Sequence, residues 1–407
     1  MKHIEAYADL ALAKGINLKA QEDLLINAPI DAAPFVEALV KLAYERFNSG
    51  TVHVNWNDAT ISRHKLKHAS EQVLGDVPNY VLARYDTMIK RGAAVLNISS
   101  SLPGAMRDIN PSRLRKASEL TAPKVRPFDQ KMYNELKWCV VPYPNKTWAT
   151  RVYPKLKEDE AYDKLVDAFI YMMHLDEKHP RRAWDAAIDN LERRRKRLNE
   201  RNYQSLRFRS QQTQLDIALP ENHRFVGALH DHKRGAFLRQ MPDYRLYTSP
   251  HKYGVEGALR ITAPVNVRGQ FLKPFTVRFE EGRVKHVMSD QQDAIDRLFK
   301  LDDGASYLGK IALVGDDSPI ANLKTYYSMQ MLDVNIGCHV AFGQADPKTL
   351  HGGHKLNRQG LEEAGLNHSR IHVDAIFQSP DLKVYGIDAD GVEELIIDQG
   401  AYTGEFA

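Results

Sequence analysis

Two different spacings of apolar residues divide this chain, and each admits only one kind of sheet. Near the N-terminus the short β-rich runs "DLLINAP", "TVHVNW" and "AAVLNIS" alternate with stretches of helical spacing. Between the first two, "DAAPFVEALVKLAYERFNSG" sets Phe35, Leu39, Leu42 and Phe47 on one helical face and ends at a glycine. Strands alternating with helices need crossover connections, so this part predicts a parallel sheet covered by helices, a Rossmann-like α/β layer. From about Gln204 the pattern changes. "SLRFRS", "TQLDIAL", "YRLYTS", "GALRITAPV", "FTVRFEEGRVKHVMS" and "KIALVG" are β-like, with a hairpin expected at Glu281-Gly282 and one helix near Asp290 to Leu301. The fold class expected is therefore α/β: an N-terminal Rossmann-like domain over 1–203, then a β-rich α+β domain over 204–407.

The stretch between them is mostly helical, interrupted by a strand-like "KWCVVPYP". Its most conspicuous run is "LERRRKRLNER", where Trp184, Ile188, Leu191 and Leu198 share one helical stripe. That pattern predicts an amphipathic helix with a solvated basic face rather than a nucleic-acid patch. Overall charge agrees: 56 Lys and Arg against 52 Asp and Glu leave a net charge of +4, too balanced to point to nucleic acid or an acidic membrane. Two cysteines, Cys139 and Cys338, make no disulfide framework. No apolar run approaches the roughly 18 residues of a membrane span, and the N-terminus reads as an amphipathic helix. These features predict a cytoplasmic protein.

The chemistry points to the second half. In "IHVDA", a strand would place His372 and Asp374 on one face and Ile371, Val373 and Ala375 on the other. In "CHVAFG", His339 would share its face with the small Ala341. Two imidazoles and a carboxylate are a ligand set for a divalent metal. They are equally a hydrogen-bonded cluster on a half-buried sheet. "HGGH", His351 to His354, reads as a Gly-rich loop rather than a ligand pair. There is no dinucleotide glycine run, no Gly-x-Ser-x-Gly elbow and no His-Glu-x-x-His helix.

Taken in order, these segments resemble metallo-aminopeptidases of the aminopeptidase T and aminopeptidase S type. "IEAYADLALAKG", "INAPIDAAPFVEAL", "HVNW", "AWDAAIDNLERRRKRLNERNYQSLRF", "SPHKYGVEG", "DDGASYLGKIALV", "DSPI", "CHVAFGQA" and "IHVD" all have counterparts there, nearly end to end. The resemblance implies a homodimeric peptidase acting on peptide N-termini. It further implies two metal ions, commonly zinc or cobalt, activating water in the C-terminal domain. His339, His372 and Asp374 match three of the family's ligands. Three other positions depart. The second glutamate of the family's "PTEEVFT" becomes Arg245 in "PDYRLYT"; the glutamate of "LGEVALV" becomes Lys310 in "LGKIALV"; and the tyrosine ending "AFGQAY" becomes Asp346.

Two of these changes put a cation where an anion bound metal. A lysine roughly 5 Å from a dication is repelled by about 7 kcal/mol at an effective dielectric of about 20. At most one divalent metal is therefore expected, on His339, His372 and Asp374, with Asp346 a further ligand or catalytic candidate and Lys310 or Arg245 holding a substrate carboxylate or stabilising an oxyanion. A metal-free site is the other outcome, with Arg245 and Lys310 filling the metal positions and pairing directly with Asp374 or Asp346. The functional expectations are a remodelled aminopeptidase-like hydrolase, an inactive peptide-binding or structural dimer, or a mononuclear iron enzyme. The last has a precedent in ring-cleaving dihydroxypyridine dioxygenases, which resemble this peptidase family.

Overall fold

A computed structural model describes residues 2–100, 106, 108–267 and 270–407. It forms two compact units, Met1–Asp185 with Leu229–Pro242, and Ala186–Ala228 with Asp243–Ala407. The sequence pattern changes at residue 203, where the helix Pro180–Arg201 has just ended, whereas the units divide inside that helix. Apolar periodicity runs unbroken through a continuous helix and carries no mark of such a division.

The first unit holds a parallel sheet in the order Val52–Asn57, Leu24–Pro29, Ala94–Ser99, Trp138–Pro142. The fourth strand is the one that interrupts the helical middle of the sequence. Phe35, Leu39 and Leu42 of the helix Ala33–Glu45 are fully buried or nearly so, while Phe47 lies past its end and is half-buried.

The second unit begins with the basic half of the helix Pro180–Arg201. Leu191 and Leu198 are buried as the stripe requires, but the arginines are not simply solvated. Arg194 is buried, donates to the Phe406 carbonyl at 2.6 Å and lies 4.2 Å from the Tyr402 ring centroid. Arg193 donates to the Glu405 carbonyl at 3.0 Å, and Arg201 to Glu394 at 2.8 Å. The run reads as a charged face in sequence because its partners lie at the far end of the chain.

An antiparallel sheet of eight strands forms the larger layer of this unit. Its order is Arg283–Met288, Thr276–Glu280, Val255–Arg260, Gln214–Ala218, Ser205–Arg209, Lys383–Ile387, Glu393–Asp398, Ala401–Tyr402. The expected hairpin is present, with Glu281 and Gly282 both at positive φ, as a tight two-residue turn requires. A second, four-stranded antiparallel sheet runs His372–Ile376, His339–Gly343, Leu308–Leu313, Leu246–Thr248. All six residues of Leu308–Leu313 are buried, Lys310 among them.

Two glycines set the register of this smaller sheet. Gly343 ends its strand at φ +99°, and a Cβ there would meet the Ile371 carbonyl oxygen at 2.2 Å. A Cβ on Gly309 would meet the Gln344 carbonyl oxygen at 2.3 Å, beside the register shift between Leu308 and Lys310. Gly343→Ala is therefore expected to cost about 2–4 kcal/mol, from left-handed backbone strain plus the clash. Urea unfolding of the variant against the parent protein measures it.

Candidate functional site

The four-stranded sheet brings distant residues into two rows. Pairing aligns Asp374 with Ala341 and Ala341 with Lys310. The next row aligns Ile376, His339, Ala312 and Tyr247. His372 lies opposite Gly343. Side chains at alternate positions share a face, so these groups stand on one side of the sheet. Strands two apart are separated by roughly 10 Å, a gap that only a long side chain spans. Lys310 spans it because Ala341, between the two charges, carries a single methyl group. Its Nζ contacts Asp374 Oδ1 as an ion pair, with both side chains 8% exposed.

Both histidines turn toward the same carboxylate oxygen. His339 Nε2 lies 3.8 Å and His372 Nε2 3.7 Å from Asp374 Oδ1. Each ring holds its other nitrogen against a backbone carbonyl, His339 Nδ1 to Gly337 at 3.2 Å and His372 Nδ1 to Gln344 at 2.9 Å. A carbonyl accepts only, so both Nδ1 atoms carry the proton and both Nε2 atoms present a lone pair inward. Burial, reinforced by the Lys310 charge, pushes His339 down to about 3. Burial likewise lowers His372. At Asp374 burial acts upward, but Lys310 and the two imidazoles outweigh it and hold the carboxyl well below its usual range. Burial lowers Lys310 from the ordinary lysine value, against the pull of Asp374.

Arg245 stands apart from that pair. Its guanidinium grips Asp243, with Nε donating to Oδ1 at 2.6 Å and a terminal nitrogen to Oδ2 at 2.7 Å. Burial acts to lower its pKa, but Asp243 and Asp374 outweigh it and keep the guanidinium charged. Of the metal-free alternative, in which Arg245 and Lys310 pair with Asp374 or Asp346, the geometry has the Lys310–Asp374 pair, while Arg245 takes Asp243 instead. An acid two residues away along the same segment reaches the fork at no cost in chain closure, whereas Asp374 is engaged by Lys310. Asp346 is tied down elsewhere: its Oδ1 accepts from the Lys348 backbone N–H at 2.9 Å, and its Oδ2 from the Tyr247 hydroxyl at 2.9 Å. It caps a short turn of helix at Pro347–Thr349. His351 and His354 are exposed in the adjoining turns.

Three participants escaped the sequence reading. Asp243 carried a signal, since an acid two residues before an arginine in "PDYRLYT" is close enough along the chain to pair with it. Gln330 carried none; its amide donates to Asp374 Oδ2 from a four-residue helix, Gln330–Asp333. Tyr247 is the third, visible only through the strand pairing. Gln330 and His372 also line an open cleft of about 370 Å³, and Gln330, Asp333 and Asp374 line a smaller cavity of about 20 Å³.

The metal pair implied by the resemblance does not fit these residues. Two inward lone pairs and one carboxylate would suit a single cation, and the buried His339 Nε2 has no hydrogen-bond partner. Against the carboxylate, however, lies the Lys310 ammonium. Arg245, which the resemblance sets at a second ligand position, is a cation already neutralised by Asp243. Among the described residues no group of three or more His, Cys, Asp or Glu side chains is arranged to hold a metal ion.

Two measurements probe this electrostatic arrangement. Lys310→Met leaves the buried Asp374 without its cation and is expected to cost about 3–5 kcal/mol, most of which Lys310→Met with Asp374→Leu restores; urea unfolding of both variants checks it. Asp333, buried beside the site, is pushed up to about 8, with amides of Tyr327 and Met329 only partly opposing the burial. Below about pH 4 it is protonated in both folded and unfolded chains. As the pH rises toward 8 the unfolded chain ionises first, so native stability falls through that window. Asp333→Asn should flatten this fall in a series of thermal melts from pH 5 to about 8.

Comparison with known proteins agrees with this fold and these strands. The sequence matches the thermophilic metalloprotease family over residues 1–402. Aminopeptidase 2 of Geobacillus stearothermophilus is 31% identical over 411 residues, covering 100% of this chain and 99% of the relative. The structure of wild-type AmpT from Thermus thermophilus superposes with a TM-score of 0.91 at 30% identity, covering 99% of each chain. A 2,5-dihydroxypyridine dioxygenase from Pseudomonas putida shares the fold alone, at 12% identity and a TM-score of 0.53. The match across nearly the whole chain, with a relative above 30% identity, makes this chain a member of the thermophilic metalloprotease family.

Proposed function

We propose that this aminopeptidase-like protein takes peptides at a site in which internal ion pairs have replaced the metal pair, so that binding is retained and metal-assisted hydrolysis is not. One observation carries the reading: Lys310 Nζ is seated on Asp374 Oδ1 where a metal would need that oxygen, with both groups buried. Arg245 locked on Asp243 supports it, because both new cations then have an anion and the site needs no further positive charge. His339 and His372, neutral and fixed by backbone carbonyls, are left as hydrogen-bond acceptors. Gln330 and His372 connect the pair to the open cleft, which is of a size that suits a short peptide or amino-acid derivative. The same reading makes the chain a homodimer, as the resemblance implies, in the cytoplasm, as its cysteine usage suggests; sedimentation velocity measures the assembly.

A second reading has one specific support. His339 Nε2 is buried without a hydrogen-bond partner and faces Asp374, so a single divalent cation that displaced Lys310 would find three donors. Metal content separates the two. The expected result is substoichiometric metal in protein dialysed after exposure to zinc or cobalt, no metal-induced rise in melting temperature, and no release of aminoacyl reporters. One tightly held equivalent, with reporter cleavage stopped by a chelator, would establish the second reading instead. Arg245→Glu combined with Lys310→Glu supplies the missing carboxylates and should create a metal-dependent rise in melting temperature. Its failure to do so in a folded variant would show that these positions do not control metal binding.

A further inference from the structure

The open cleft beside His372 has a charge character that the site behind it does not share. Arg370 lines it, two residues before the strand His372–Ile376. No Asp or Glu is among the described residues lining it. The Asp302 carboxylate is fixed by neutral donors rather than by the Arg370 guanidinium: its Oδ2 accepts the Arg370 backbone N–H at 2.7 Å, and its Oδ1 accepts from Ser369 Oγ at 2.8 Å and from the Gly304 N–H at 3.0 Å. The Arg370 guanidinium has no ion-pair partner among the described residues. The two buried ion pairs, by contrast, leave no net charge behind the cleft wall. An anion entering here meets, among the lining residues, one cation with five donors in a planar fork and no acid, the Asp302 carboxylate lying behind Arg370 on its backbone N–H.

The remaining walls limit what that anion can be attached to. Asn266, Gln330 and His372 supply neutral hydrogen-bonding groups, while Leu298 and Leu301 supply an apolar floor, Leu301 being 44% exposed. An inorganic anion would use the arginine and leave the leucines in water. A ligand with an apolar body and a terminal carboxylate uses both.

We propose that this cleft binds the carboxylate end of a small apolar ligand, an N-acylated amino acid or the C-terminus of a short apolar peptide, with the carboxylate on Arg370 and the side chain against Leu298 and Leu301. The inference rests on the peptide-binding reading above and adds to it the polarity of binding: the C-terminal end, not the N-terminal one, is what the cleft selects.

Calorimetric titration of the full chain tests it with matched probes. N-acetylleucine is compared with N-acetylleucinamide, and leucyl-leucine with its C-terminal amide. The acids should bind at least about tenfold more tightly than the amides, the ratio expected for a charge-assisted contact to a guanidinium. In Arg370→Gln that preference should vanish, and Arg370→Lys should restore part of it. Leu301→Ala should weaken acid and amide alike. Arg370 is exposed, so these variants are expected to fold, which melting temperature verifies. If only the acetylated acid shows the preference, the ligand is an acylated amino acid; if the dipeptide shows it too, a peptide terminus is accepted. Equal binding of acids and amides, an unchanged preference in Arg370→Gln, or no binding of any probe at millimolar concentration would each overturn the inference. The first two of these leave the peptide-binding reading standing, whereas the absence of binding by any probe overturns that reading as well; the metal and reporter assays, which decide only whether hydrolysis survives, are independent of both.

Discussion

A lysine ammonium and an aspartate carboxylate, withdrawn from water and set against each other across Ala341, govern the centre of this sheet. Each charge alone would be costly there, since taking an ion into a low-dielectric interior costs several kcal/mol even after relaxation. Together they constrain everything around them. The residue between them must be small, the two flanking imidazoles must stay neutral, and the remaining carboxylate oxygen needs a donor, which Gln330 supplies. The register that allows this depends on glycines at 309 and 343, where backbone from neighbouring segments passes too close for any side chain.

The arginine at the edge of the same sheet was accommodated differently. Arg245 precedes the strand Leu246–Thr248 and brings its own counter-ion, Asp243, in the same short segment. This local pair asks nothing of the other strands. Lys310 sits mid-strand in a run buried on both faces, where a neighbour along the chain points the wrong way or is apolar, so its counter-ion had to come from two strands away. Neutralising these two cations is therefore two separate problems, solved once by sequence proximity and once by sheet register.

Much of the fold was legible because periodicity is a local property. The parallel strands, the helix bearing Phe35 and Leu39, and the Glu281-Gly282 hairpin were visible as spacing and turn chemistry. The role of the arginines after Leu191 was not, because their partners, Glu394, Glu405 and Phe406, lie at the other end of the chain. In the site, alternation alone placed His372 and Asp374 together, and the family resemblance joined His339, Lys310, Arg245 and Asp346 to them. It did not say how they pair: Asp346 is taken by Tyr247 and a turn, and Gln330 arrives from a helix with no motif of its own.

By itself the sequence determined the strand and helix types, the family, and the presence of Lys310 and Arg245 in the runs that lead to the site, since each of these depends on residue identity and local spacing. Which cation meets which anion was decided only by the tertiary structure. Ion pairing depends on the distances that strand register imposes between residues far apart in the chain, and on a burial that makes every buried charge find its partner.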